Sequence, residues 1–262
     1  RNRTPEALQE YTELLKEEIL FWKFCQYKFY EQWKFLKQYA NTRGIQIIGD
    51  IPLYMAMDSA DVWADRKLFL LEEDGSQQHV AGSPPDNFSE EGQKWGNPVY
   101  DYSYMEEHQF DWWRHRIEKN AALYDVIRID HFLGVVRYYT IPFQEKDCCN
   151  GKWNKGPGKK LTDVMEESAG DCRIIADNAG SAIAGSRKLL ARIGWPGSKI
   201  LMFAFDGNTG NENLPHNFEE NNIVVYTGTH DNDTVVGYFR DKTEYELAYL
   251  YEYLNIGSKE EI

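Results

Sequence analysis

Five times along the chain a short β-rich run stops at, or just before, an acidic residue. The runs are Ile45–Asp50, Val126–Asp130, Arg173–Asp177, Lys199–Asp206 and Ile223–Thr227, the last followed by Gly-Thr-His-Asp at 228–231. Each is too short for a helix, so each reads as a buried strand. Helical stretches lie between them, Glu106–Leu123 and Ser181–Ile193 among them. Strand, acid, loop, helix, strand is the rhythm of a parallel sheet covered by helices, either a barrel or a doubly wound sheet. Acids gathered at strand C-termini favour the barrel, because its site is built at that face. The expected fold class is therefore α/β, a (β/α)8 TIM-type barrel. Five strands do not close eight, so the barrel is expected to be incomplete, and its open sheet edges would offer self-association.

The chain reads as one barrel segment, 1–262, opened by a helical stretch over 1–43. Thr4-Pro5-Glu6 is a helix start, with Thr4 as N-cap and Pro5 in the first turn. Leu8, Tyr11, Leu15, Ile19, Trp22, Phe29, Trp33, Leu36 and Ala40 then recur near helical spacing, with a break expected near residue 20. Core packing is the expected use of this stripe. Residues 72–104 and 142–160 are rich in turn formers and read as long loops, which in a compact domain usually cover a site.

Charge and cysteine content narrow the partners. A net charge of −13 argues against nucleic acid and anionic membrane, both of which select basic surfaces. The aromatic share of 15% serves a core, and aromatic faces also stack on sugar rings. Cys25, Cys148, Cys149 and Cys172 form no zinc-ligand spacing and predict reduced thiols in a cytoplasmic protein. No metal spacing and no phosphate-binding glycine loop is present, so neither metal nor cofactor is expected. Asp206-Gly207-Asn208 opens like a calcium loop, but the sixth position is Asn211 where that loop needs Gly.

Strand alternation places Arg128 and Asp130 on one side, where the Arg would hold the Asp ionised. Such a carboxylate at a strand head suits a glycosyl nucleophile, and it equally suits a structural ion pair. Asp177 could give a proton to a leaving sugar oxygen, or cap the helix expected from Ser181. His230-Asp231-Asn232-Asp233 could bind sugar hydroxyls, or cap the segment that starts at Val235.

Longer motifs go further. Gly49-Asp50-Ile51-Pro52-Leu53-Tyr54, Asp58-Ser59-Ala60-Asp61-Val62-Trp63, Pro84-Pro85-Asp86, Gly92-Gln93-Lys94-Trp95-Gly96-Asn97-Pro98, Arg128-Ile129-Asp130-His131-Phe132, Leu214-Pro215-His216-Asn217 and Thr227-Gly228-Thr229-His230-Asp231-Asn232-Asp233-Thr234 occur in that order. Together they closely resemble the amylomaltase (4-alpha-glucanotransferase) family, glycoside hydrolase family 77. The resemblance implies a retaining transferase of α-1,4-glucans and maltooligosaccharides on an amylase-type barrel, of which this chain would hold the third to seventh strands. It implies Asp130 as nucleophile, Asp231 as transition-state stabiliser, and Asp177 at the acid/base position. Arg128, His131 and His230 would hold the −1 sugar, with Asp50 in the first of these motifs. Asp86, Gln93, Trp95 and Asn97 would belong to the loop over the acceptor subsites.

The chain also departs from the family pattern. The acid/base motif normally reads Ile-Ile-Ala-Glu-Asp-Leu-Gly; here it is Ile174-Ile175-Ala176-Asp177-Asn178-Ala179-Gly180. Leu133-Gly134-Val135 replaces Arg-Gly-Phe, and Ser83 and Asn87 stand where Val and Tyr are usual. Asp for Glu withdraws the carboxyl by about 1.5 Å. A misplacement of about 1 Å can cost on the order of 100-fold in rate. Two readings follow: an impaired glucan transferase, or an inactive or engineered truncated scaffold that binds glucan or serves structurally.

Overall fold

The computed structural model describes residues 3–86, 89–178 and 184–262. Two helices open the chain, α1 (Pro5–Leu14) and α2 (Lys16–Asn41), and Thr4 caps the first by accepting from the Ala7 N–H. The break falls at Leu15, earlier than the periodicity suggests. Neither helix has a buried residue. The apolar stripe expected in the core is uncovered, and Tyr11, Trp22, Phe29 and Leu36 are each more than half exposed. The end of α2 is held largely by polar contacts: Trp33 Nε1 donates to the Leu123 carbonyl (2.8 Å), and Lys37 Nζ to that of Tyr124 (2.9 Å).

After α2 the chain enters β1 (Ile48–Ile51), then α3 (Ala60–Ala64), β2 (His79–Ser83) and β3 (Gln93–Pro98). Helices α4 (Tyr102–Glu107) and α5 (Asp111–Leu123) follow, parted by Gln109 and Phe110 in left-handed backbone. Next come β4 (Val126–Ile129), α6 (Leu133–Val136), β5 (Arg137–Pro142), β6 (Lys152–Lys155), α7 (Lys159–Ala169) and β7 (Arg173–Ala176). The last elements are α8 (Ala184–Ile193), β8 (Gly197–Ile200), β9 (Ile223–Tyr226), α9 (Val235–Arg240) and α10 (Glu244–Leu254).

Strands β1, β4 and β7 form a parallel sheet in that order, with Asp50 opposite Arg128 and Arg128 opposite Ile175. Strands β8 and β9 form a parallel pair. The Ala176 N–H reaches the Pro196 carbonyl (2.9 Å), which sets β8 beside β7. All five expected strands are therefore present, in two parallel groups, β1-β4-β7 and β8-β9. The fourth is shorter than its sequence suggests: β8 ends at Ile200, and Leu201–Ala204 turn into a 3-10 helix, so Asp206 is not a strand-end acid.

The two stretches read as long loops contain strands. Antiparallel β3-β2-β5-β6 form a second sheet. Their partners lie up to about sixty residues away in sequence, and Gly and Pro hide their alternation.

The core lies between the parallel sheet and the helices behind it. Ile127 and Ile129 of β4, Trp113 and Ile117 of α5, and Leu161 and Met165 of α7 are fully enclosed. Each such side chain contributes about 1.5–3 kcal/mol on burial. Gly49 in β1 is required by close approach, because a Cβ there would lie 2.0 Å from the Tyr124 ring.

Candidate active site

Parallel strands place their C-terminal ends on one rim, and period-two alternation decides which side chains share a face. On β1 that face carries Asp50, on β4 it carries Arg128 and then Asp130, and past β7 it carries Asp177. Ladder bonds continue beyond the strands: Asp130 N–H donates to the Ile51 carbonyl (3.0 Å) and Asp177 N–H to that of Ile129 (2.9 Å). Backbone pairing therefore fixes the carboxylates.

Arg128 ties them together. Its Nη1 lies 2.6 Å from Asp50 Oδ2 and 3.0 Å from Asp130 Oδ1, and its Nη2 lies 3.0 Å from Asp177 Oδ2. The Arg128 side chain is 8% exposed, those of Asp50 and Asp130 about a third, and that of Asp177 14%. Burial works against the guanidinium charge, but Asp177, Asp50 and Asp130 outweigh it and hold Arg128 above its ordinary pKa.

Asp177 is the most constrained of the three acids. Its Oδ2 also accepts from the His131 backbone N–H (3.3 Å), and its Oδ1 from the Ser198 hydroxyl (3.3 Å). Asn178 locks the same turn, its Oδ1 accepting from the Ser198 N–H at 2.7 Å. The helix start expected at Ser181 falls on 179–183, which lie outside the described residues, as does Asn87.

The loop after β9 approaches from the far end of the strand row. His230 Nδ1 lies 4.0 Å from Asp50 Oδ2, and His230 Nε2 lies 3.5 Å from Asp231 Oδ1. The loop after β9 thus comes within reach of the end of β1. Asp231 does not cap the helix that follows; Thr234 does, accepting from the Gly237 N–H.

His131 sits beside Asp130 in left-handed backbone at φ 49°. Such conformations in a non-glycine residue cost of order 1–3 kcal/mol and gather at functional sites. Its Nε2 is enclosed with no hydrogen-bond partner among the described residues. Burial pushes the imidazole down to about 4, against the pull of Asp130 and Asp86. Trp95 meets the imidazole edge-on at 4.8 Å between centroids, and Tyr54 lies 5.9 Å from Trp95.

The remaining expected residues divide. Gln93 is drawn into the site, its Oε1 accepting from Trp95 Nε1 (2.9 Å). Asp86 acts on His131 through charge and accepts from the Ser83 hydroxyl (3.1 Å). Asn97 instead donates to the Met55 carbonyl (2.9 Å), a backbone tether.

Sequence reasoning missed Ser198 and Tyr226. Arg128, Asp50 and Asp177 all act electrostatically on the Tyr226 hydroxyl, which burial raises above its ordinary pKa. Strand alternation could have flagged Ser198, two positions before inward-facing Ile200. Its acid-free strand start gave no other sign.

The family profile described as 4-alpha-glucanotransferase, glycoside hydrolase family 77, matches residues 1–262. The chain belongs to that family. It is 48% identical over 98% of its length to the 4-alpha-glucanotransferase of Clostridium butyricum, covering 53% of that protein. It is 44% identical to the enzyme of that name from Thermus thermophilus, with 97% of this chain and 51% of the relative covered. Among solved structures, the amylomaltase of Streptococcus agalactiae in complex with acarbose superposes with a TM-score of 0.91 at 43% identity, over 97% of this chain and 51% of that one. The chain spans about half the length of these relatives. Among the described residues no helix is long and apolar enough to cross a membrane.

Proposed function

We propose that this chain carries the catalytic segment of a 4-alpha-glucanotransferase that moves α-1,4-glucan segments between maltodextrins by retaining double displacement. The observation that carries the reading is Arg128, one enclosed guanidinium bound to Asp50, Asp130 and Asp177 at three neighbouring strand ends. The parallel order β1-β4-β7 and the parallel pair β8-β9 support reading them as strands three to seven of a (β/α)8 barrel.

In this reading Asp130 attacks the anomeric carbon and forms a glycosyl ester, which an acceptor 4-hydroxyl then releases. Asp231 stabilises the charge that develops on the sugar ring. Arg128, His131 and His230 hold the −1 sugar, with Asp50 steadying both Arg128 and His230. Asp86, Gln93 and Trp95 shape the acceptor side together with Asn97, which anchors its strand. Transfer in place of hydrolysis requires water to be kept out, and the β2–β3 hairpin is the natural cover. Asp177 stands at the acid/base position with a side chain one methylene short, so activity is expected to be impaired.

Incubation with maltotriose, followed by chromatography of glucose and longer maltodextrins, tests the reading. Products that vanish in Asp130→Asn support it. Binding of maltodextrin without products, in the parent chain and in Asp177→Glu alike, would support a glucan-binding scaffold instead.

A further inference from the structure

Resting on the transferase reading above, we infer that this chain forms its glycosyl-enzyme from donors whose leaving group departs without a proton. We further infer that Asp177 is a positioning residue that braces Arg128.

A glucan donor needs an acid. When the C1–O4 bond breaks, the departing alkoxide must receive a proton, and a carboxylic acid has to present its O–H to that oxygen. The Asp177 carboxyl is engaged by the protein at both oxygens. Arg128 Nη2 and the His131 N–H point at Oδ2, and the Ser198 hydroxyl points at Oδ1. Arg128 and the His131 N–H can only donate, so Oδ2 is held as an acceptor, while the Ser198 hydroxyl, which itself accepts from the Asn178 N–H, donates to Oδ1. Asn178 and Ser198 fasten the turn on both sides, through Asn178 Oδ1 to the Ser198 N–H and the Asn178 N–H to the Ser198 hydroxyl. Gly197 makes that closeness feasible, since a Cβ there would lie 2.7 Å from Asn178 Oδ1. To reach a leaving oxygen, Asp177 would have to abandon Arg128 and still fall about 1.5 Å short of a Glu.

Asp130 carries no such handicap. Its side chain is 35% exposed, with Arg128 on one oxygen. With an α-glycosyl fluoride, an Asp130 oxygen forms the bond to C1 as the C1–F bond breaks, and fluoride leaves with the electron pair. No proton moves. Azide can release the ester by attacking C1 on the face that fluoride vacated. The ester C–O bond breaks, the Asp130 carboxylate returns, and the product is an α-glycosyl azide.

The experiment gives the purified protein α-maltosyl fluoride or maltotriose, each with and without sodium azide. Fluoride release and sugar products are followed. The fluoride should be consumed at least about 100-fold faster than maltotriose. Azide should accelerate that reaction and yield α-maltosyl azide, an outcome that a purely structural defect would not produce. Asp177→Glu should narrow the gap by raising the maltotriose rate, and Asp130→Asn should stop both reactions. Rates within about tenfold of each other, with no azide product, would overturn the inference while leaving the transferase reading intact. No reaction with the fluoride would also overturn it. In that event Asp177→Glu decides the wider reading: disproportionation of maltotriose by the variant preserves it, and inertness removes both.

Discussion

Asp130 and Asp177 stand at the ends of adjacent parallel strands and bind the same guanidinium, yet their surroundings differ. Asp130 keeps about a third of its side chain open to solvent, whereas Asp177 keeps 14% and faces donors from the end of β4 and from β8. The contrast teaches that a strand-end acid serves chemistry only if part of its carboxyl is left uncommitted. One rim thus holds an open acid beside an enclosed one.

Mutating the two acids in parallel is the sharpest way to break that contrast. With α-maltosyl fluoride as donor, Asp130→Asn should lose on the order of 10⁴-fold or more in rate, because the proposed nucleophile is gone. Asp177→Asn should lose far less, and equal losses would erase the distinction. Arg128→Met removes the shared partner and leaves three carboxylates facing one another, so a destabilisation of about 3–5 kcal/mol is expected in urea unfolding. Adding Asp177→Asn should recover part of it.

Acid titration tests the rim through His131. Its folded pKa, about 4, lies below the unfolded value of 6.5, so the unfolded chain binds more protons between the two. Stability should therefore fall as pH drops from about 6.5 toward 4, by up to about 3 kcal/mol from this residue. His131→Asn should flatten that part of the curve in unfolding measurements. The smallest effect should come from Ser198→Ala, which deletes one hydrogen bond to Asp177 and should cost about 1 kcal/mol. If Asp177 is a brace, this change should leave the rate with the fluoride within about threefold.

The legible and the hidden parts of the site differ in the range of the interactions behind them. The pairing of Arg128 with Asp130 could be read directly, because two residues along a strand share a face. So could the gathering of Asp50, Asp130 and Asp177, since parallel strands align their ends. Ser198 and Tyr226 escaped because neither carries an acid or a family motif, and only alternation hinted at Ser198; they enter the site when β8 settles beside β7 and β9 pairs with β8. The sheet of β3, β2, β5 and β6 escaped for the same reason, its pairing joining segments far apart. The helical stripe of α2 misled in the other direction. Its periodicity correctly predicts a helix but cannot say what covers it, and in this structure Trp22, Phe29 and Leu36 are exposed.

From the sequence alone came the strands, the acids at the ends of β1, β4 and β7, the family motifs and the Asp at position 177 where the family pattern has Glu, because each is written in local pattern or in residue identity. Only the tertiary structure decided that Asp177 is bound by Arg128, His131 and Ser198 while Asp130 stays open. Which donors surround a carboxylate depends on how strands far apart in the chain pack together, and no local spacing encodes that.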